Sequence, residues 1–165
     1  MKSIVLSVLL LSAALPLLAA DQTEWLTDLA KAQARAKAEK KLVLMEFTGS
    51  DWCPPCKQLH KTVMTSPEFE AYARTNLVLV EVDFPQTHPQ SEELKKANRD
   101  LAQRFGIEGF PTVIVLDGNG KQLSKEVGYG GEQPDEFVAK IEKLRKKAQQ
   151  SSAARPIRFP AYRAG

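Results

Sequence analysis

The sequence predicts a single α/β domain, with a central mixed β-sheet flanked by helices on both faces. Two observations lead to this fold class. Helix-forming amphipathic segments alternate with short apolar runs, and the last two apolar runs are separated by a tight turn. The chain has 165 residues, of which 43% are hydrophobic and 26% are charged. This length and composition suit one globular domain and exclude a disordered chain, a collagen-like repeat and a coiled coil.

The first half of the predicted domain contains two helices and two buried strands. Residues 23–40 are rich in Ala, Lys and Arg and place Trp25 and neighbouring leucines on one side, which is typical of an amphipathic helix. Residues 42–47 form a short apolar run. Residues 77–82 form a second run, whose continuous apolarity predicts a strand covered on both faces. Between the two strands, another helix begins near Cys53.

The second half of the predicted domain adds a helix, a hairpin and a final helix. Residues 91–105 begin with a Ser cap, contain helix formers and are followed by glycine. A β-branched run at residues 112–116 leads into an Asp-Gly-Asn-Gly turn and a strand that ends near Val127. The last helix begins at Pro134 and carries apolar residues at helical spacing. The predicted order is αβαβαββα.

The N-terminus predicts export from the cytoplasm. Lys2 is followed by an apolar run over residues 4–18 and then by two alanines, so residues 1–20 are predicted to be a secretory signal peptide cut near Ala20. A permanent anchor is disfavoured, because Pro16 interrupts a run shorter than the roughly 20 residues that span a bilayer. We therefore expect a periplasmic or secreted protein with no stable membrane insertion after signal cleavage.

Charge is distributed unevenly along the chain. The formal net charge is +3, yet residues 143–165 contain basic side chains and no acidic ones. Residues 149–165 lack periodicity and are predicted to form a flexible basic tail, which puts the domain at residues 21–148. Such a tail is one way to bind an anionic surface, although cations also suit the C-terminal end of a helix. Because no aromatic residues are interleaved with the charges of Lys143, Arg145, Lys146 and Lys147, we expect no nucleic-acid partner.

The segment Trp-Cys-Pro-Pro-Cys-Lys at residues 52–57 is predicted to carry the chemistry. Cys53 and Cys56 are the two cysteines of the chain, and with two histidines they do not supply a finger-like zinc site. A c-type haem attachment needs His where the chain has Lys57. A structural staple over four residues would add only about 2 kcal/mol. A redox-active dithiol explains both cysteines and their place at the start of a helix, and it needs no bound cofactor or metal.

The helix start assigns different roles to the two cysteines. Unpaired N–H groups and the positive end of the helix dipole favour a thiolate at Cys53, which we predict to be the attacking sulfur. Cys56, one turn further, is predicted to face the interior and to resolve the mixed disulfide. Pro54 and Pro55 fit the first turn, where N–H groups lack partners, and we place both at the substrate-binding surface. Since the two prolines remove two donors, the Cys53 sulfur must find a donor at Cys56 or beyond.

Three segments resemble the thioredoxin family in the order in which the family has them. They are residues 52–57, residues 105–112 (Phe-Gly-Ile-Glu-Gly-Phe-Pro-Thr) and residues 126–128 (Glu-Val-Gly). The resemblance covers roughly residues 41–145 and implies the thioredoxin fold and exchange with protein thiols and disulfides. The Ser-Pro-Glu-Phe stretch at residues 66–69 resembles in particular periplasmic modules, such as the C-terminal module of the thiol:disulfide interchange reductase.

The resemblance also implies roles for individual residues. Pro111 matches the family's cis-proline, which lies against the dithiol and lets the backbone of Phe110 pair with a substrate strand. Gly128 matches a glycine in the substrate groove, and Trp52 matches the aromatic residue beside the nucleophile. Glu46 matches the buried acid beneath the resolving thiol, where a carboxyl group accepts the thiol proton through water.

Two departures from the family pattern stand out. His60 lies seven residues after Cys53, where the periplasmic reductase module has an acid. As a cation it would favour the thiolate, whereas an exposed helical histidine would have no such role. The second departure is an insertion at residues 85–89, which we predict to be a surface loop that shapes the choice of partner.

The predicted reaction is dithiol–disulfide exchange in the reducing direction, since Pro55 matches the third motif position of thioredoxin. Its partners would be proteins that carry thiols or disulfides, and a separate protein that donates or accepts electrons. An alternative from another class stays open. A non-catalytic carrier would bind Cu(I) or Zn through Cys53, Cys56 and His60.

Overall fold

The computed structural model describes residues 23–153, which form one five-stranded sheet with five α-helices around it. In chain order the elements are β1 (Trp25–Leu26), α1 (Leu29–Glu39), β2 (Leu42–Thr48), α2 (Pro54–Leu59), α3 (Pro67–Asn76), β3 (Leu77–Asp83), α4 (Glu92–Phe105), β4 (Thr112–Leu116), β5 (Gln122–Val127) and α5 (Pro134–Ala153). The strand order is β1-β3-β2-β4-β5. β1, β2 and β3 run parallel, and β4 and β5 pair antiparallel. The predicted α/β class with a mixed sheet is confirmed.

Helices cover both faces of the sheet, as predicted. Alternate residues of β2 point to opposite faces, and all seven are buried. One core lies between the sheet and α2, α3 and α5, and its members include Leu42, Leu44, Leu59, Val63, Phe69, Leu79, Phe137 and Ile141. The other core lies under α1 and α4, and its members include Leu29, Ala32, Ala36, Val43, Met45, Phe47, Val80 and Ile114. Burial on both faces accounts for the unbroken apolar runs of the central strands.

The first helix begins at Leu29 and not at residue 23, where we predicted it. The Asp28 carboxylate caps the helix by accepting hydrogen bonds from the Ala30 and Lys31 amides, at 2.8 and 3.1 Å. The preceding residues, Trp25–Leu26, form a short strand that pairs with β3. The prediction was wrong here because Trp25, Leu26 and Leu29, whose spacing suggested one helix, lie in two elements. Trp25 and Leu26 belong to β1, and Leu29 begins α1.

The helix that begins after Cys53 is short and ends at Leu59. α2 passes into a π-helical segment, His60–Met64, after which Ser66 caps α3 by accepting from the Phe69 amide at 3.1 Å. The predicted element order lacked both β1 and α3. The signal for α3 was nevertheless present, since Ser66 is followed by proline at the first helical position and by acidic residues in the first turn.

The C-terminal elements lie where the sequence predicts them, except at the end of α5. This helix continues to Ala153, so residues 149–153, which we assigned to the tail, are helical. The rest of the predicted tail and the predicted signal peptide lie outside the described residues. Within residues 23–153, no helix is both long and apolar enough to cross a membrane.

Candidate active site

A disulfide joins Cys53 and Cys56 at the start of α2. β2 ends at Thr48, and the chain turns through residues 49–52 to bring Cys53 to the N-cap position. The Cys56 amide donates a hydrogen bond to the Cys53 sulfur at 3.3 Å. This is the donor that the sequence predicts once Pro54 and Pro55, at the first two helical positions, have removed theirs.

Both cysteines are covered by the surrounding chain. Cys56 is 1% exposed, as predicted for the inner cysteine, and Cys53 is 3% exposed. Neighbouring Trp52 is 38% exposed, and Pro54 is also exposed. A protein that reaches the disulfide must therefore make much of its contact with the side chains around it.

Trp52 belongs to an aromatic cluster at the disulfide. The Trp52 ring meets the Phe110 ring edge-on, with centroids 5.8 Å apart, and the Phe84 ring lies 5.3 Å from that of Phe110. The Trp52 indole N–H also donates to the Phe84 carbonyl at 2.7 Å. Sequence analysis missed Phe84, because nothing in its neighbourhood resembles a motif.

The Phe110–Pro111 peptide bond is cis, as the resemblance implied. The Gly128 amide donates to the Pro111 carbonyl at 2.7 Å, so the structure brings these two predicted site residues together. Gly128 has φ of +83°, and the space where a side chain would project is open. Among the described residues, the Phe110 backbone N–H and C=O have no hydrogen-bond partner.

The insertion at residues 85–89 is a surface loop, as predicted. Hydrogen bonds join it to Asp51, two residues before Cys53. Asp51 accepts hydrogen bonds from the Thr87 hydroxyl at 2.5 Å and from the Gln86 amide at 3.0 Å. These hydrogen bonds, of which that from the Thr87 side chain is the largest cause, hold the pKa of Asp51 well below its usual range. Sequence analysis missed Asp51, because its partners lie more than thirty residues away.

Glu46 is buried on the face of the sheet that α2 covers. It is 2% exposed, and its Oε1 has no hydrogen-bond partner among the described residues. Burial is the main cause that raises its pKa to about 8, and the negative charges of Glu81 and Asp83 add to the effect. A cavity of about 330 Å³ contains Glu46, Cys56, His60 and Glu81 in its lining. The Glu46 carboxyl group and the inner sulfur thus lie at one cavity.

His60 is exposed at the rim of this cavity. The metal-carrier alternative requires His60 to bind a metal ion together with both cysteines, whose sulfurs are bonded to each other here. Residues 23–153 contain no cluster of three or more His, Cys, Asp and Glu side chains that could hold a metal ion. In this disulfide form, the described residues do not form the metal site that the alternative requires.

Comparisons with known proteins agree with the fold. The thioredoxin-like domain family matches residues 29–145. Disulfide bond reductase DsbH of Chlamydia pneumoniae is 35% identical over 124 residues, which are 75% of this chain and 74% of that protein. A solved structure titled DsbH oxidoreductase superposes with a TM-score of 0.71 at 33% identity, covering 85% of this chain and 95% of that one.

The predicted likeness to the thiol:disulfide interchange reductase is also confirmed. Thiol:disulfide interchange protein DsbD of Vibrio cholerae is 31% identical over 111 residues, which are 66% of this chain. They are 17% of that much longer protein. Since a family match covers most of the chain and a relative of similar length is a disulfide bond reductase, this chain belongs to the thioredoxin-like family and is a protein-disulfide oxidoreductase.

Proposed function

We propose that this protein reduces disulfides in other proteins in the periplasm or after secretion. The observation that carries the proposal is the Cys53–Cys56 disulfide at the start of α2, next to the contact between Trp52 and Phe110. Two facts favour the reducing direction: a relative named a disulfide bond reductase, and Pro55 in the motif. The signal peptide predicted at residues 1–20 favours export.

The exchange begins from the reduced protein. The Cys53 thiolate attacks one sulfur of the substrate disulfide, a mixed disulfide forms, and the other substrate sulfur leaves as a thiolate that takes a proton from water. The Cys56 thiol then gives its proton to Glu46, directly or through water, and attacks the Cys53 sulfur. The second substrate thiolate is released and is protonated. Two electrons have passed to the substrate, and Cys53 and Cys56 are left as the disulfide.

The buried acid suits the resolving step. Glu46 and Cys56 line the same cavity, and a carboxyl group whose pKa is raised to about 8 takes and releases a proton near neutral pH. We therefore assign Glu46 as the proton acceptor for Cys56 in one direction of exchange and as the donor in the other.

The substrate would bind as an extended segment along the cis-proline. The free backbone N–H and C=O of Phe110 offer a pair of hydrogen bonds to such a segment, as an edge strand does. The open space at Gly128 lets the segment pass close to the main chain. Trp52, Pro54 and Pro55 would complete the contact surface on the other side of Cys53.

Regeneration requires a second partner. A dithiol protein must return two electrons to the Cys53–Cys56 disulfide after each cycle, and we propose that this donor is a separate protein. Its electrons enter by the same exchange steps in reverse.

Insulin reduction by a dithiol-regenerated enzyme tests the proposed activity. Cys53→Ala is expected to abolish it, and Cys56→Ala is expected to stall as a mixed disulfide with the substrate, seen as an added mass that dithiothreitol removes. Titration of the disulfide against glutathione tests the direction. A reduction potential of about −120 mV, at the strongly oxidising end of the range for thiol–disulfide oxidoreductases, would contradict the proposed reducing direction. Full activity of Cys53→Ala would contradict the proposed exchange itself.

A further inference from the structure

A second acid lies beside Glu46 on the face of the sheet that α2 covers. In the parallel pairing of β2 with β3, Glu46 lies opposite Glu81, and Thr48 lies opposite Asp83. Register partners on neighbouring strands project to the same face at a spacing of about 5 Å. Glu81 and Glu46 therefore stand side by side, and both line the cavity that reaches Cys56.

The two carboxyl groups differ in their access to water. Glu46 lies on a central strand and is buried, whereas Glu81 is half-buried. The reason lies in β1, which pairs with β3 only as far as Leu26 opposite Val80. From Glu81 onward β3 is the edge of the sheet, so that Glu81 retains enough water to ionise more readily than its neighbour.

The charged groups around this pair leave it without a compensating cation. Within residues 23–153, no ion pair joins Glu46 or Glu81 to a basic side chain. The Lys57 ammonium group on α2 donates a hydrogen bond to the Asp51 backbone carbonyl at 2.5 Å and forms no ion pair with either acid. His60 is at the exposed rim of the cavity.

The remaining neighbours add negative charge or none. Asp83 on β3 is fixed by hydrogen bonds from the Ser50 amide and hydroxyl, at 2.9 and 2.6 Å. β4 contributes the apolar Val113 opposite Glu46. Next to it on β5, Glu126 is paired with Lys140 at 2.8 Å. The direction of the pKa shifts agrees with this placement, because the charge of Glu81 raises the pKa of Glu46 and the charge of Asp83 raises that of Glu81, each after the larger effect of burial.

We propose that Glu81 is a positioning residue for the exchange: its carboxylate acts together with burial to keep Glu46 protonated in the oxidised protein, and so helps to provide the acid that Cys56 needs when an electron donor opens the disulfide. This inference rests on the disulfide exchange proposed above. It assigns to the second acid a role that neither the motif nor the resemblance contains.

The proton and the electrons balance in each half of the cycle. A donor thiolate attacks the Cys53 sulfur, the Cys53–Cys56 bond breaks, and Cys56 leaves with the electron pair and takes the proton of Glu46. The second donor thiolate then attacks the donor sulfur of this mixed disulfide and releases Cys53 as a thiolate. Glu46 is now a carboxylate next to the Glu81 carboxylate, and burial together with the repulsion between them makes Glu46 a stronger base than an ordinary carboxylate. It takes the proton back when Cys56 attacks the mixed disulfide with the substrate.

The protonation of Glu46 is measurable without turnover. The carboxyl carbon signals of ¹³C-labelled glutamate are followed by NMR through a pH titration of the oxidised protein, and Glu46→Gln identifies the signal of Glu46. We expect Glu81→Gln to lower the Glu46 midpoint by roughly one pH unit, because a negative charge is lost from the cavity while the shape of the side chain is kept. An unchanged midpoint would overturn the proposal.

Control variants separate the role of Glu81 from other causes. Glu68→Gln removes an exposed carboxylate of α3 outside the cavity and is expected to leave the midpoint unchanged. His60→Asn tests the histidine at the rim, and a shift as large as that of Glu81→Gln would assign the effect to His60 and overturn the proposal. In single turnovers near pH 8, reduction of Glu81→Gln by excess dithiol should be about fivefold slower than that of the unsubstituted protein. If Cys53→Ala retained insulin reduction, the proposed function would fail while the NMR midpoints still decided the role of Glu81.

Discussion

Burial of Glu46 couples the stability of the fold to pH. The carboxyl group has a pKa near 4.5 in the unfolded chain and about 8 in the folded protein, so the folded state holds a proton that the unfolded state has already released. Its contribution to stability is complete below the unfolded pKa and is lost as pH rises through the folded pKa. We expect Glu46→Gln to abolish this loss, which is on the order of 3 kcal/mol between about pH 5 and pH 8.

Urea unfolding of the oxidised protein measures this effect directly. The free energy of unfolding of the unsubstituted protein should fall between the two pH values, while that of Glu46→Gln should change much less. Glu68→Gln, which alters an exposed carboxylate, should keep the fall. If the unsubstituted protein and Glu46→Gln lost stability in parallel, the shifted titration of Glu46 would be contradicted.

The sequence identifies Glu46 as a site residue more readily than Glu81. Glu46 interrupts an apolar strand run and matches a family position, and both observations single it out. Glu81 lies near the end of its run, where a charged residue normally marks the start of a loop. Its importance comes from the register that places it opposite Glu46, and register depends on the packing of the whole sheet.

At the level of elements, the connection from β3 to α4 is fastened to the segment that leads into Cys53. Ser50 bonds to Asp83, Asp51 accepts from the backbone of residues 86 and 87, and the Trp52 indole donates to Phe84. Three consecutive residues are thus held by the end of β3 and the loop that follows it. Hydrogen bonds to the residues just before Cys53 position the Trp52 side of the substrate surface.

Removal of the Asp51 carboxylate should release this loop. We expect Asp51→Ala to speed the hydrogen exchange of the Gln86 and Thr87 amides at least tenfold, because both lose their acceptor. Asp100→Ala, on the exposed side of α4, is the matched control and should leave both rates unchanged. Unchanged exchange of these amides in Asp51→Ala would show that other contacts hold the loop.

Elements with strong local signals were predicted well, and those that depend on partners were not. The Ser91 cap and the Gly106 that ends α4, with φ of +59°, mark this helix in the sequence. β1 has two residues and exists because β3 offers it an edge. The π-helical segment after α2 likewise has no sequence signal that separates it from an α-helix.

At the scale of the whole molecule, the alternation of helices and apolar strands determined the fold class, because only a sheet covered on both faces buries such runs. The domain boundary was less evident. Residues 149–153 lack apolar periodicity, yet a helix already stabilised by packing at Phe137 and Ile141 can be extended by one backbone hydrogen bond per added residue. Ala148, just before this extension, and Ser151 within it line a cavity with Asp117 and Asn119 of the hairpin turn.

This extension of α5 determines where the basic tail can be removed. A cut after Leu144 would delete Arg145, which donates two hydrogen bonds to Glu142. It would also remove the residues of α5, from Lys147 to Ser151, that line the cavity next to the hairpin turn. A chain that ends at Ala153 retains every described element. We expect it to keep the thermal midpoint and the insulin reduction of the full chain, because the disulfide, the cavity and the aromatic cluster all lie within residues 23–153.

The same truncation tests whether the tail binds anionic partners. Three arginines lie in residues 154–165, while the lysines of the preceding helix stay in both forms. We expect no difference between the two forms in sedimentation with vesicles of anionic lipid or in retention by single-stranded DNA, at low salt or at physiological salt. Binding by the full chain that weakens with salt and disappears in the chain ending at Ala153 would contradict this expectation and give the tail a role of its own. Because the truncated chain keeps insulin reduction in either case, that role would be separate from disulfide exchange.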